Sequence, residues 1–320
     1  MTTSQPSTGA RNRPHYERPE LTNLTSEEQR SVTHGEFWIP EAERNVYREA
    51  LEVLNRAGIP YVVTGLYALY EYTGIYRKTK DLDLILDPGA LLDAAAELKR
   101  HGFRMELAQA HWLGKAFKND VMIDLVFGIG NGLSLIDRAW YEHSRPAVLA
   151  ATPVRVAPAE ELIWHRIFIS ERHRSDESDI LHLIFTQGDK LDWKRIMKRM
   201  GENWLLLLSQ IHFFDYVYPG YRSRIPDWLR RDLLERARQL LEAGDDGVEF
   251  RGTLVSRFSF AIDVNEWGLP DLRSEAVAAA RTLPIIREIC ESTVWDAEEN
   301  LSIAPAAPPP GDEMEATPEG

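Results

Sequence analysis

Three acidic residues stand where solubility alone does not explain them. Asp81 and Asp83 lie in Thr79-Lys80-Asp81-Leu82-Asp83-Leu84-Ile85-Leu86, and Asp124 stands alone in Val121-Met122-Ile123-Asp124-Leu125-Val126-Phe127. Side chains along a strand alternate faces, so Asp81 and Asp83 point the same way, about 6.6 Å apart along the chain, while Leu82, Leu84 and Leu86 point the other way. The run around Asp124 reads as a central strand, where an unpaired charge is costly. If the two strands are neighbours, about 4.8 Å apart, the three carboxylates converge. Each pair at roughly 5 Å would then repel by about 3 kcal/mol at an effective dielectric of about 20. A divalent cation offsets that repulsion directly. An all-oxygen set suits Mg²⁺ or Mn²⁺ better than zinc, and Mg²⁺ takes substrate phosphates as further ligands, so the cluster asks for a phosphorylated substrate.

The stretch ahead of these acids supplies a matching partner for phosphate. Tyr61-Val62-Val63-Thr64 is a short β-rich run that stops at Gly65, and Leu66 to Thr73 reads as a helix starting just after it. Backbone N–H groups at a helix start bind phosphate, and glycine lets a ligand approach the main chain. The order strand, Gly65, helix, Asp-x-Asp strand, third acidic strand would set a triphosphate between a helix terminus and a metal cluster. Arg77, Lys78 and Lys80 lie next to the carboxylates in sequence and could balance phosphate charge.

Val63-Thr64-Gly65-Leu66, Arg77-Lys78-Thr79-Lys80-Asp81-Leu82-Asp83-Leu84 and Ile123-Asp124-Leu125-Val126 together resemble the nucleotidyltransferase superfamily with the polymerase-beta type palm. The likeness is strongest to its small bacterial members, which include the toxins of abortive-infection toxin–antitoxin pairs. It covers residues 60 to about 130, with a weaker echo in Pro158-Ala159-Glu160-Glu161-Leu162-Ile163 and Arg172-His173-Arg174-Ser175-Asp176-Glu177-Ser178-Asp179. The resemblance implies an α/β (α+β) fold, a small mixed-sheet palm followed by a mainly helical C-terminal domain. It implies transfer of a nucleotidyl group from an NTP such as ATP to a hydroxyl acceptor, whether RNA, protein or small molecule, with Mg²⁺ or Mn²⁺ as cofactor. Asp81 and Asp83 would hold the metal that organises the triphosphate, and Asp124 would complete a second site or act as general base. Gly65, Leu66, Arg77, Thr79 and Lys80 would bind the nucleotide. Two ions about 3.5 to 4 Å apart would stabilise the entering and leaving oxygens.

One position departs from the pattern. The family glycine is usually followed by Gly or Ser, which helps to hold the β- and γ-phosphates, whereas Leu66 offers its N–H but no side-chain donor. The alternative reading is therefore a catalytically inactive relative that binds a nucleotide or a protein partner. A glycosyltransferase is a third, since Asp-x-Asp also binds metal–nucleotide sugars.

Other elements must carry these residues. Ala42, Val46, Ala50, Leu51 and Leu54 recur at helical spacing before Gly58, and Pro88 opens a helix with Leu91, Leu92, Ala95 and Leu98 that closes at Gly102. Phe103 to Leu107 and Trp112 to Phe117 read as further strands. Beyond Val154-Arg155-Val156 the pattern turns helical: Ala159 to about Arg172, Asp176 to Phe185, Asp192 to Met200, Glu202 to Tyr216, Asp227 to Ala243, and Ser274 to Ile289 interrupted by Pro284. A nucleotidyltransferase-like domain over 36–155 and a helical domain over 156–295 follow, with Trp193, Trp204, Trp228 and Trp267 expected in the helical core. His165, His173 and His182 match no common zinc spacing, and Asp176 and Asp179 suit a helix first turn.

Composition bounds the rest. The 320 residues carry 37 Lys+Arg against 50 Asp+Glu, a formal net charge of −13. That disfavours binding nucleic acid through bulk positive charge, though not a local basic groove. Residues 1–35 are poor in large apolar groups, and 296–320 hold five prolines and seven acids with no base, so both read as disordered tails. The single Cys290 excludes an internal disulfide and a Cys-rich zinc site. With no membrane-length apolar run, the cytoplasm is the expected location.

Overall fold

The computed structural model describes residues 37–171, 174–244 and 249–296. The tails expected at 1–35 and 296–320 lie outside the described residues, except for Asp296. Helix α1 (Glu41–Arg56) buries Val46, Tyr47, Ala50, Leu51, Val53 and Leu54, the stripe its periodicity dictates. Strand β1 (Val62–Val63) leads through Thr64 into α2 (Gly65–Thr73). Strand β2 (Asp81–Ile85) precedes α3 (Pro88–Arg100), whose start is fixed by Pro88 in its first turn and by Asp87, which accepts the Gly89 N–H at 2.8 Å. Then come β3 (Arg104–Gln109), β4 (Leu113–Lys118), β5 (Val121–Val126), the short α4 (Ala139–Glu142), β6 (Arg145–Leu149) and β7 (Thr152–Val156).

These strands form one mixed sheet of order β3-β4-β5-β2-β1-β7-β6. Strand β2 lies at its centre, parallel to β5 and antiparallel to β1. Val154-Arg155-Val156, where the sequence changes character, belong to β7, which runs parallel to β1 with Val63 opposite Val156. The β6–β7 hairpin was not expected.

The second half is mainly helical: α5 (Ala159–Arg166), a small ribbon of β8 (Ser170–Glu171) and β9 (Arg174–Ser175), α6 (Glu177–Gln187), α7 (Trp193–Met200), α8 (Trp204–Val217) and α9 (Asp227–Ala243). It ends with α10 (Gly252–Val255), α11 (Ala261–Asn265), α12 (Leu272–Arg281) and α13 (Pro284–Glu291). The fold is thus the expected α/β arrangement, a mixed-sheet palm followed by helices. Helix α5 stops at Arg166 rather than near Arg172, because the chain turns there into the β8–β9 ribbon. Two of the four tryptophans expected in the core are on the surface, Trp228 at 44% and Trp267 at 67% exposure. Helix α9 packs on α8 and buries Leu229 and Leu233 but leaves Leu240 and Leu241 exposed.

The end of the helical half returns to the palm. Helix α13 packs on α3, and Asp296 bonds to Met105 both ways: its N–H donates to the Met105 carbonyl at 2.8 Å and its carboxylate accepts the Met105 N–H at 2.7 Å. Among the described residues no helix is long and apolar enough to cross a membrane.

Candidate active site

The parallel register of β2 and β5 sets Asp83 directly opposite Asp124, with Asp81 two residues earlier on the same face. One carboxylate oxygen from each of Asp81, Asp83 and Asp124 lies within 4.8 Å of the others. Their strand neighbours Leu82, Leu84, Ile123 and Leu125 are fully buried on the reverse face, so the acids face one way because the leucines and isoleucine face the other. The three acids lie on one wall of a cleft of about 1330 Å³. An oxygen-only set of this kind fits a hard divalent cation such as Mg²⁺ or Mn²⁺.

Gly65 meets these acids at close range. Its φ is +65°, a conformation that favours glycine, and a Cβ built there would lie 1.9 Å from Asp83 Oδ2. The glycine therefore makes room for the carboxylate as well as for the turn. The Thr64 N–H donates to the Asp83 carbonyl at 2.9 Å, tying the turn to β2, and the Thr64 side chain makes no cap bond over the start of α2. Leu66 is partly buried against the core and also lines the cleft.

Asp124 has a partner that the sequence did not announce. Lys115, opposite it on β4, donates to Oδ1 at 2.6 Å. Burial pushes the Asp124 carboxyl above the usual range and the charge of Asp81 adds to that, while the Lys115 ammonium pulls it back. The repulsion expected within the cluster is thus partly offset by a lysine. Lys115 sits in an ordinary alternating run, and only the β4–β5 register reveals its role. Asp81 accepts the Thr79 hydroxyl at 2.9 Å.

The basic stretch divides. Arg77, Lys78 and Thr79 line the cleft and Lys80 does not. Arg77 is engaged by Asp179, its Nη2 lying 2.7 and 2.6 Å from the two carboxylate oxygens. Arg166, 5% exposed, donates to the Gly65 carbonyl at 3.0 Å and brings its Nε within 3.5 Å of Asp179 and 3.9 Å of Asp176. One buried acid in the first turn of α6 therefore joins the loop before β2 to the residue holding the Gly65 turn. Asp179 reads in sequence as a dipole-favoured acid. His165 lines the cleft, and burial lowers the proton affinity of His182; His173 lies outside the described residues.

A second wall of the cleft comes from Trp112 and from the region of α10 to α12, with Arg257, Phe258 and Arg273 lining it. It is seated by the loop Gly128-Ile129-Gly130-Asn131-Gly132. The Asn131 side chain donates to the Leu254 carbonyl at 3.1 Å, and Arg273 donates to the Gly130 carbonyl at 2.9 Å. A Cβ at Gly132 would fall 2.6 Å from the Val277 backbone, so the close approach of α12 requires glycine there. Three glycines in five residues were the available sequence signal for this joint.

No family model matches the chain, and no curated protein matches it. Similar solved structures include the enzyme ANT(2")-Ia in complex with adenylyl-2"-tobramycin, 17% identical over 61% of this chain and 99% of that one, TM-score 0.34. The lincosamide antibiotic adenylyltransferase LnuA, lincomycin-bound, is 14% identical over 45% of this chain and 96% of its own, TM-score 0.34. A tRNA-processing enzyme is 13% identical over 80% and 76%, TM-score 0.29. At such identities and TM-scores the likeness carries nothing about chemistry, which rests on the cleft itself.

Proposed function

We propose that the protein is a divalent-metal-dependent nucleotidyltransferase moving a nucleotidyl group from an NTP to a hydroxyl acceptor. The observation that carries this is the convergence of Asp81, Asp83 and Asp124 within 4.8 Å beside a helix start whose first residue, Gly65, lies against Asp83. Asp81 and Asp83 would hold the cation, and Asp124 would complete the set. A cation bound there would polarise the phosphoryl oxygens and stabilise charge that develops on them. The N–H groups at the start of α2 orient the triphosphate. The acceptor oxygen forms a bond to the α-phosphorus, the bond from that phosphorus to the β-phosphate oxygen breaks, and pyrophosphate leaves. The hydroxyl proton would pass to a carboxylate oxygen of Asp124.

The alternative, a nucleotide-binding or protein-interaction relative without turnover, is favoured by Leu66 in place of a hydrogen-bonding residue and by Lys115 engaging Asp124. Incubation with each labelled NTP, Mg²⁺ and pools of RNA, protein, amino-sugar and lincosamide acceptors separates the two. Label transfer that disappears in Asp81→Ala plus Asp83→Ala is expected. Transfer surviving that double substitution removes the triad from the mechanism, and Mg²⁺–NTP binding without turnover supports the alternative.

A further inference from the structure

The second wall of the cleft carries chemistry that the nucleotidyl-transfer reading leaves unused. Arg257 is exposed and lies over the ring of Phe258, its guanidinium carbon 4.4 Å from the ring centroid, and Phe258 is itself 56% exposed. Arg273 lines the same wall and is anchored through the Gly130 carbonyl. Trp112 lies against Gly130 and also lines the cleft, giving a second aromatic surface. Burial and the nearby charge of Arg257 disfavour the charged form of Arg273 while Asp271 and Glu171 favour it, and an anion bound beside the two arginines would add to that support.

Two acids act on Arg273, Glu171, which also lines the cleft, and Asp271, and each has a further hydrogen-bond partner. Glu171 accepts the Ser256 hydroxyl, and Asp271 caps α12 by accepting from Ser274 at 3.1 Å. A polycationic acceptor would meet two arginines here. A phosphate would meet two partners, and a planar base would find Phe258 and Trp112 to stack on.

Resting on the reading of the cleft as a nucleotidyl-transfer site, we infer that this wall is the acceptor surface and that it takes a nucleotide unit, a base with its phosphate, supplied as a free mononucleotide or as the end of an RNA strand. The acidic total of the chain does not oppose this, because the site is a local pair of arginines and not a basic face.

The test uses the full chain without NTP, titrated into a fluorescein-labelled single-stranded RNA 10-mer, with AMP and a polycationic amino sugar as competitors. RNA binding is expected, and Arg257→Glu and Phe258→Ala should each weaken it by about tenfold or more. Arg257→Glu should also lower the salt slope by about 0.7. Melting curves confirm that these two exposed substitutions leave the fold intact. Equal competition by AMP identifies a free nucleotide as the source, and RNA binding that AMP does not displace identifies the strand end; either supports the assignment. Absence of both RNA and AMP binding, displacement by the amino sugar in preference to AMP, or affinities unchanged in both variants overturns it. So does a loss confined to Mg²⁺–NTP affinity, which would assign the wall to the donor. RNA binding that depends on Arg257 and Phe258 in a chain with no NTP turnover leaves the wall standing and removes the catalytic reading. Turnover onto a non-nucleotide acceptor at an undiminished rate in Arg257→Glu does the reverse.

Discussion

The two walls of the cleft are fixed in different ways. The triad wall is sheet: Asp83 and Asp124 are registered by the β2–β5 ladder, and the reverse face of both strands is fully buried, so each carboxylate is positioned by backbone bonds and close packing. The second wall rests on short helices and on a few contacts with one glycine-rich loop, chiefly Asn131 to Leu254 and Arg273 to Gly130. Groups that must meet reacting atoms to within a fraction of an ångström gain most from the first construction. A surface that selects a partner tolerates the second. The expected separation is that triad-wall changes lower kcat and second-wall changes raise the KM of the acceptor.

The largest effect should come from Asp83→Ala. Losing a ligand to the cation removes several kcal/mol of transition-state stabilisation, so transfer should fall by about 1,000-fold with acceptor affinity little changed. Steady-state label transfer, with acceptor binding measured separately, checks this. A variant that lost acceptor affinity but kept kcat would break the distinction between the walls.

Next is the ionic link beneath the triad wall. Asp179 is 4% exposed and serves both Arg77 and Arg166, so Asp179→Asn strands guanidinium charge inside the protein and should cost about 3 kcal/mol. Asp137→Asn makes a matched control. Its partner Arg199 also lies within 2.7 Å, but the Asp137 side chain is 49% exposed, and the loss should stay below about 1 kcal/mol. Urea unfolding of the pair measures the contrast, and equal losses would show that Asp179 is not the buried keystone its geometry makes it.

What the sequence makes legible follows the same division. The triad wall is readable because strand alternation alone sets Asp81 and Asp83 on one face and makes Asp124 an anomaly in an apolar run. The order of elements around Gly65 is also plain. Register is not, and so Lys115 goes unseen until β4 is placed against β5. Two of the hairpin turns, β4–β5 and β6–β7, show the same limit. Asn119 and Asp120 adopt φ of 51° and 64°, which suits those residue types, whereas Ala150 and Ala151 adopt 50° and 62°, which does not. The β6–β7 hairpin thus carried no turn signal. The second wall was missed because its residues come from positions 112, 257, 258 and 273, which no spacing rule joins.

A pair of glycines sharpens the case for Gly65. Gly58 and Gly65 have φ of +67° and +65°, but a Cβ at Gly58 meets nothing within 4 Å while one at Gly65 meets Asp83 Oδ2. Alanine at either site costs about 1 to 2 kcal/mol for the left-handed backbone. Only Gly65→Ala also displaces a triad carboxylate, so it should lower transfer by about thirtyfold, roughly 2 kcal/mol, where Gly58→Ala leaves transfer intact. Thermal melts and label transfer on both variants separate backbone strain from the contact with Asp83.

The smallest effect concerns the joint of the second wall. His111 is 2% exposed and its Nε2 lies 3.2 Å from the Gly130 carbonyl, the same oxygen that Arg273 holds. Burial lowers its proton affinity below the ordinary value of 6.5; the Gly130 carbonyl opposes that, and the charges of Arg273 and Arg281 add to it. The folded state therefore favours the neutral ring. Stability from this group is complete above the unfolded pKa near 6.5 and is lost as pH falls toward and through the lowered folded value. The slope cannot exceed one proton, about 1.4 kcal/mol per pH unit. His111→Gln keeps a donor for Gly130 without a titrating ring, so the melting temperature of the variant should fall less than that of the parent between pH 6.5 and the acid limb. Acceptor affinity should follow the same pH course, because protonation loosens the loop that seats the arginine wall, while the sheet that carries the triad keeps its register. Parallel pH curves for parent and variant would mean that His111 does not set the acid sensitivity of this joint.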